Sequence, residues 1–208
     1  ANPEEFSYVA NEISNLVDAI ELNVSCPHAM EGYGASIGEN PELTCEIVSA
    51  VKSAVDVPVF AKLTPNVTDI KEIAIAAENG GADGLTLINS LGPGMNIDIV
   101  TGHPILSNKF GGMSGPAIKP IAVRMVYEAS HAVKIPVIGM GGIANGEDAI
   151  EFIMAGATAV AVGAMNFHDP YATENVIKGI WEYMERYKIQ DINELKGIVN
   201  MPKEKEEL

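Results

Sequence analysis

Apolar positions along the chain keep two rhythms, one helical and one of short continuous runs. Phe6, Val9, Ala10, Ile13, Leu16 and Val17 follow helical spacing, and Asn2, Pro3 and Glu5 supply a cap, a first-turn proline and a capping-box partner. The run AIELNV (19–24) predicts a strand. Asn40 and Pro41 repeat the helix start with Leu43, Ile47, Val48 and Val51 inward, and PVFAKL (58–63) predicts the next strand. Thr68 opens a helix with Ile70, Ile73, Ala74 and Ala77 inward, ahead of a strand at GLTLIN (84–89). A long glycine-rich loop is expected next, then a helix bearing Ile118, Ile121, Ala122, Met125 and Val126. PVIGMGG (136–142) predicts a strand entering a glycine turn, and Asn145 caps a helix through Ile153. After a strand at AVAVGA (159–164), Asp169 and Pro170 start a last helix with Val176, Ile177, Ile180, Trp181 and Met184 on one face.

Two echoes support a repeated unit. AVDVPVFAK and AVKIPVIGM both leave a helix, pass a proline and enter a strand; GGADGLTL and AGATAVAV both run from a helix-ending glycine into a strand. Such units, with strands buried on both faces, imply a parallel α/β sheet. An open doubly wound sheet is one solution, but five isolated parallel strands would expose two edges. The favoured expectation is a (β/α)8 TIM barrel of which the chain carries about the last five units, the first three being absent. Residues 1–208 then form one domain, with 203–208 as a charged tail.

Charge changes the picture in one respect. The 28 acidic residues against 13 basic ones give a net charge of −15, which argues against nucleic acid and anionic membrane surfaces as partners. No apolar run is long enough to span a bilayer, the N-terminus ANPEEF is acidic rather than signal-like, and two cysteines make no disulfide framework. A cytoplasmic protein with free thiols is expected.

In parallel α/β folds, ligands meet the carboxyl ends of strands. The residues falling there are Asn23 to Cys26, Lys62 with Thr64 and Asn66, Asn89 with Ser90, Gly141 with Gly142, and Gly163 with Ala164. Cys26 is either a small buried thiol or, in a polar proline-containing loop, a base. Cys45, inside a helix, is expected to be inert. Lys62 either emerges into solvent or points into the barrel mouth, where it could hold negative charge or form a Schiff base. Glycine turns after the last two strands offer backbone N–H groups to a phosphate; the loop NKFGGMSGPAIKP (108–120) is either a flexible loop or a lid that covers a cofactor. His28, His103, His131 and His168 are scattered, and no Cys/His spacing suits a metal.

The motifs NVSCPH, FAKLTPN, INS, GGMSGPAIKP, GMGGI and VGAMN occur in this order and resemble the class 1 dihydroorotate dehydrogenases over about residues 3–197. IDIVTGHPIL followed by GGMSGPAIKPIAVRMV looks closest to the class 1B catalytic subunit. The resemblance implies FMN-dependent oxidation of dihydroorotate to orotate in pyrimidine biosynthesis. It implies that Cys26 is the base for the C5 proton while a hydride leaves C6, that Asn23, Asn89 and Ser90 bind substrate, and that Asn23, Lys62, Ile88, Gly115, Gly141, Gly142, Gly163 and Ala164 contact FMN. Ala164 stands where threonine is common in the family. It further implies an FAD and [2Fe–2S] electron-transfer subunit passing electrons to NAD⁺, in a homo- or hetero-oligomer. His28, where many relatives carry asparagine, is also similar to the flavin domain of dihydropyrimidine dehydrogenases, which makes uracil or thymine reduction an alternative. A Schiff-base barrel aldolase using Lys62 and a non-catalytic assembly piece are the remaining readings.

Overall fold

The computed structural model describes residues 2–25 and 35–199. Helices α1 (Pro3–Ser14), α2 (Ala35–Gly38), α3 (Pro41–Ala54), α4 (Ile70–Asn79), α5 (Lys119–Ala132), α6 (Gly146–Met154) and α7 (Ala172–Tyr187) accompany strands β1 (Ile20–Asn23), β2 (Val59–Lys62), β3 (Gly84–Leu87), β4 (Leu91–Gly94), β5 (Gly111–Met113), β6 (Val137–Met140) and β7 (Ala159–Ala161). Short 3-10 turns cover Pro116–Ile118, Ala164–Phe167 and Ile192–Leu195.

Five strands form one sheet in the order β1-β2-β3-β6-β7, each pair parallel, with Asn23 beside Lys62 and Lys62 beside Thr86. The order never reverses. Right-handed crossovers of a monotonic sheet put every helix on one face, and α1, α3, α4, α5, α6 and α7 indeed pack each on the next along that face. A doubly wound sheet needs a reversal and helices on both faces. The architecture is therefore an arc of a (β/α) barrel, as the barrel expectation required.

The core lies between strands and helices. Leu22, Val59, Ala61, Leu85, Leu87 and Val137 face Ile47, Val48, Val51, Ala74, Ala122, Val126 and Phe152, all buried. A fully buried Leu, Ile or Phe side chain stabilises by about 1.5–3 kcal/mol, so this layer fixes where the strand ends stand. Asp83 ties the layer at its lower rim: its Oδ2 accepts from the Val59 N–H at 2.7 Å and from Lys52 Nζ at 2.8 Å. Burial opposes ionisation of Asp83, but the Lys52 ammonium and the Val59 N–H outweigh it, and the carboxyl falls below its ordinary 3.8.

Several expectations need correction. The strands are not all buried on both faces: β3 is, but β1 alternates, exposing Glu21 and Asn23 on the face away from the helices. That face is the inside of the arc, which only a sheet closed on itself buries throughout. Nor is the glycine-rich stretch a plain loop: β4 and β5 pair antiparallel, Leu91 opposite Met113, and Ile97 bridges Pro104. The α4 cap is Asp69, whose Oδ1 accepts from the Lys71 N–H, rather than Thr68. The last helix starts at Ala172; Asp169 instead accepts from the Tyr171 N–H and from Asn175 Nδ2, closing the turn before it. Ile177 and Trp181 are 50% and 66% exposed, and in α1 only Ala10 is buried. The caps at Asn2, Asn40 and Asn145 hold, the last as a full capping box with Asp148.

Candidate functional site

Each strand delivers a residue to one rim. Asn23 and Lys62 are the last residues of β1 and β2. Ile88, Asn89 and Ser90 lie between β3 and β4. Gly115 precedes the 3-10 turn that leads into α5, Gly141 and Gly142 follow β6, and Gly163 and Ala164 lie beyond β7.

Hydrogen bonds set this rim. Asn23 Oδ1 accepts from the Ser25 N–H at 3.2 Å and from Ser25 Oγ at 3.0 Å, and Asn89 Nδ2 donates to the Ser25 carbonyl at 2.7 Å. Fully buried Ser25 thus links the ends of β1 and β3. Backbone bonds add to this: the Asn89 N–H donates to the Leu63 carbonyl at 3.0 Å and the Ile88 N–H to the Met140 carbonyl at 2.9 Å. Asn66, from the β2–α4 loop, exchanges two bonds with Gly92: its Nδ2 donates to the Gly92 carbonyl and its Oδ1 accepts the Gly92 N–H. That pair anchors β4 over the rim.

Glycine shapes the far wall. Gly142 has φ of +85°, and a Cβ there would stand 2.8 Å from the Gly115 carbonyl oxygen and 2.9 Å from both Lys119 N and Lys119 Cβ. No side chain fits. The turns after β3, β6 and β7 and the Gly115 turn enclose a pocket of about 260 Å³. Its lining brings together Ile88, Asn89, Ser90, Gly115, Gly141, Gly142, Gly163 and Ala164. A larger groove of about 410 Å³ between α6 and α7 holds none of the sequence-predicted residues.

Asn23 and Lys62 stand on the rim but outside that pocket. Lys62 Nζ is 3.5 Å from Glu21 Oε1, and Thr86 Oγ1 donates to Glu21 Oε2 at 2.7 Å. All three residues occupy the inner face of the arc, so Lys62 points into the mouth rather than toward the helices. Cys26 and His28, like the tail at 203–208, lie outside the described residues. Cys45 is a half-buried free thiol in α3. Among the described residues, no cluster of three His, Cys, Asp or Glu could hold a metal, and no helix is long and apolar enough to cross a membrane.

Sequence reasoning missed Glu21, Met165 and Phe167, and it reached Ser25 and Ser114 only as members of the Asn23–Cys26 rim and the 108–120 loop. Glu21 had a signal: it sits two residues before Asn23, on the same strand face. Met165 and Phe167 had none, because a 3-10 turn directs them.

A family model described as dihydroorotate dehydrogenase matches residues 1–184. The chain belongs to the dihydroorotate dehydrogenase family. Two relatives carry the name dihydroorotate dehydrogenase B (NAD(+)), catalytic subunit. One, from Methanothermobacter thermautotrophicus, is 56% identical over 201 residues, 96% of this chain and 66% of the relative. The other, from Lachnoclostridium phytofermentans, is 56% identical over 197 residues, 94% of this chain and 65% of the relative. The chain spans just under two thirds of the length of these dehydrogenases. These names agree with the class 1B resemblance of the motifs. A solved dihydroorotate dehydrogenase from Eimeria tenella, crystallised with ferulenol, superposes with a TM-score of 0.78 at 20% identity, covering 94% of this chain and 57% of that one. At that identity it supports the barrel fold alone.

Proposed function

We propose that this chain supplies the flavin-binding rim of an FMN-dependent enzyme that oxidises dihydroorotate to orotate in pyrimidine biosynthesis. One observation carries the reading: a single pocket assembles the Asn89–Ser90 pair with three glycine turns from separate units. The residues fit the cofactor. Gly142, which has no room for a side chain, holds a main-chain turn that leads into α6, and such a turn suits a phosphate. Ile88 and Ile118 give an apolar wall suited to a ring system.

Bound FMN would accept the hydride that leaves C6 of dihydroorotate. The chain's residues do the rest. Lys62 brings positive charge to the inner face, where it would stabilise negative charge on a reduced flavin. Asn89 and Ser90 orient substrate, Asn89 being held by its own bond to Ser25. Asn23 is held through Ser25 as well and would contact both substrate and flavin. Cys26 takes the C5 proton; the residue before it is tied to Asn89. The family assignment favours this chemistry over a Schiff-base aldolase.

The relatives are named as catalytic subunits, so we further propose a companion subunit carrying FAD and a [2Fe–2S] cluster that delivers electrons to NAD⁺, in a cytoplasmic hetero-oligomer. The decisive experiment is anaerobic absorbance spectroscopy of the intact protein. Dihydroorotate is expected to bleach the flavin bands. Bleaching absent with dihydroorotate, together with reoxidation by uracil after chemical reduction, would replace this reading with dihydropyrimidine chemistry. Cys26→Ala is expected to keep FMN and slow its reduction about 100-fold or more; an unchanged stopped-flow rate would remove Cys26 from the reaction.

A further inference from the structure

Lys119 and Asp148 do not line the pocket, yet they join two of the loops that do. Asp148 Oδ2 accepts from the Ala144 N–H at 2.9 Å and from the Asn145 N–H at 3.3 Å, which fixes the far end of the turn begun by Gly141. Asp148 Oδ1 accepts from Lys119 Nζ at 2.7 Å, and the same ammonium donates to Glu151 Oε2 at 2.6 Å. Lys119 is the first residue of α5, directly after the pocket residues Gly115 and Ile118. The two loops press together where a Gly142 Cβ would strike Gly115 and Lys119. So a partly shielded charge bridge crosses the seam between them, just outside the wall that the glycines form.

The ammonium is engaged by two carboxylates. The hydrogen bond to Asp148, then that to Glu151, raises the Lys119 pKa above its ordinary 10.5. A lysine committed in this way is a strut rather than an anion ligand.

We propose that the Lys119–Asp148 bridge is a positioning device for the cofactor phosphate. It sets the spacing between the Gly115 loop and the Gly141–Gly142 turn, so that main-chain N–H groups, and not the ammonium, meet the phosphate. The inference rests on the FMN reading above and concerns only how the phosphate end is held.

Riboflavin, which lacks the phosphate, isolates that end. Apoprotein of the intact chain is titrated with FMN and with riboflavin, following quenching of flavin fluorescence, for the parent and for Asp148→Asn, Lys119→Met and Lys119→Arg. Lys119→Met leaves the Asp148 cap in place and so guards against simple misfolding. Asp148→Asn and Lys119→Met are expected to weaken FMN about tenfold or more, the scale of one hydrogen bond to a charged group, with riboflavin affinity moved less than about twofold. Lys119→Arg, whose fork can bridge two carboxylates, is expected to restore most of the FMN affinity. Unchanged or tighter FMN binding in Asp148→Asn would overturn the proposal, because freeing the ammonium should help only if it were itself the phosphate ligand. Equal loss for FMN and riboflavin with a lower melting temperature would also overturn it, leaving a bridge that merely stabilises the fold. A parent protein that binds neither flavin would remove the FMN reading itself, and the proposal with it.

Discussion

At the β6 and β7 end of the rim the turns themselves are main chain, because Gly141, Gly142, Gly163 and Ala164 bring little beyond peptide groups, and Ile143, Met165 and Phe167 add apolar side chains around them. At the β1 and β2 end the same rim carries long side chains, with Asn23, Glu21 and Lys62 on an open inner face. The difference teaches how each end responds to change. A backbone wall depends on conformation and, at Gly141 and Gly142, on a close approach that leaves almost no room for an added atom. A side-chain wall depends on ion pairs partly in water, worth little each, so it can be retuned without collapse.

The largest effect is expected at the backbone end. Gly142→Ala adds a Cβ 2.8 Å from a carbonyl oxygen at φ of +85°, combining left-handed strain with a collision against main chain. The strain costs about 1–3 kcal/mol and the collision adds about 1–3 kcal/mol, with FMN binding lost as well, as read by thermal melting and flavin titration. Gly115→Ala is the control. Gly115 also has a positive φ, +90°, but nothing stands within 4 Å of its would-be Cβ. Only the strain remains, about 1–3 kcal/mol. If the two variants behave alike, close approach at Gly142 is not what shapes the wall.

Lys62→Met comes next and probes the other end. The fold should survive, because Lys62 is half-buried on an open face, while the flavin midpoint potential should move to more negative values as positive charge is lost. Spectroelectrochemical titration reads this directly, and an unmoved potential would separate Lys62 from the flavin.

Why one end was more legible than the other follows from these materials. Gly141 and Gly142 end an apolar run and open a helix, a place where glycine has few uses besides a turn. The strands themselves showed through their β-branched runs. The β4–β5 hairpin did not: LGPG and GGM carry the residues that usually break strands, and the Asn66 amide that secures β4 comes from a different loop. No local pattern encodes such a partner. The start of α7 was misplaced for a related reason. Asp169–Pro170 has the composition of a helix start, but Asp169 uses one carboxylate oxygen on the Tyr171 N–H and the other on Asn175. Lys62 is visible as a strand-end lysine, while its partner Glu21 belongs to the inner face, which carries no apolar pattern to mark it.

A smaller effect lies below the rim and tests whether the comparison is confined to it. The Asp83 carboxyl is held below its ordinary 3.8, so its contribution is fully present above that value and fades as pH falls through the lowered folded value. Asp83→Asn should therefore cost about 1 kcal/mol or less at pH 7, given its exposure, and the gap to the parent should close below about pH 3.8 in acid denaturation. A gap that persists unchanged at lower pH would mean that shape, not charge, ties Asp83 to Val59 and Lys52.

The smallest effect on stability, and the sharpest test of the side-chain end, is expected from Glu21→Gln. Glu21 is partly exposed, and its ion pair with Lys62 is long at 3.5 Å, so exposed-pair energetics apply and stability should change by less than about 1 kcal/mol. Yet among the described residues Glu21 is the carboxylate paired with the Lys62 ammonium on the inner face, and Thr86 Oγ1 fixes it there from β3 at 2.7 Å. Glutamine keeps the shape and an oxygen for Thr86 while deleting the charge that competes with a reduced flavin for Lys62. The midpoint potential should then move positive, opposite to Lys62→Met, with the melting temperature nearly unchanged. A Lys62→Met/Glu21→Gln double variant closes the cycle: if Glu21 acts through Lys62, the second substitution adds little once the lysine is gone. Full additivity would instead make Glu21 an independent charge, and the β1–β2 end would lose its claim to be a coupled, tunable wall.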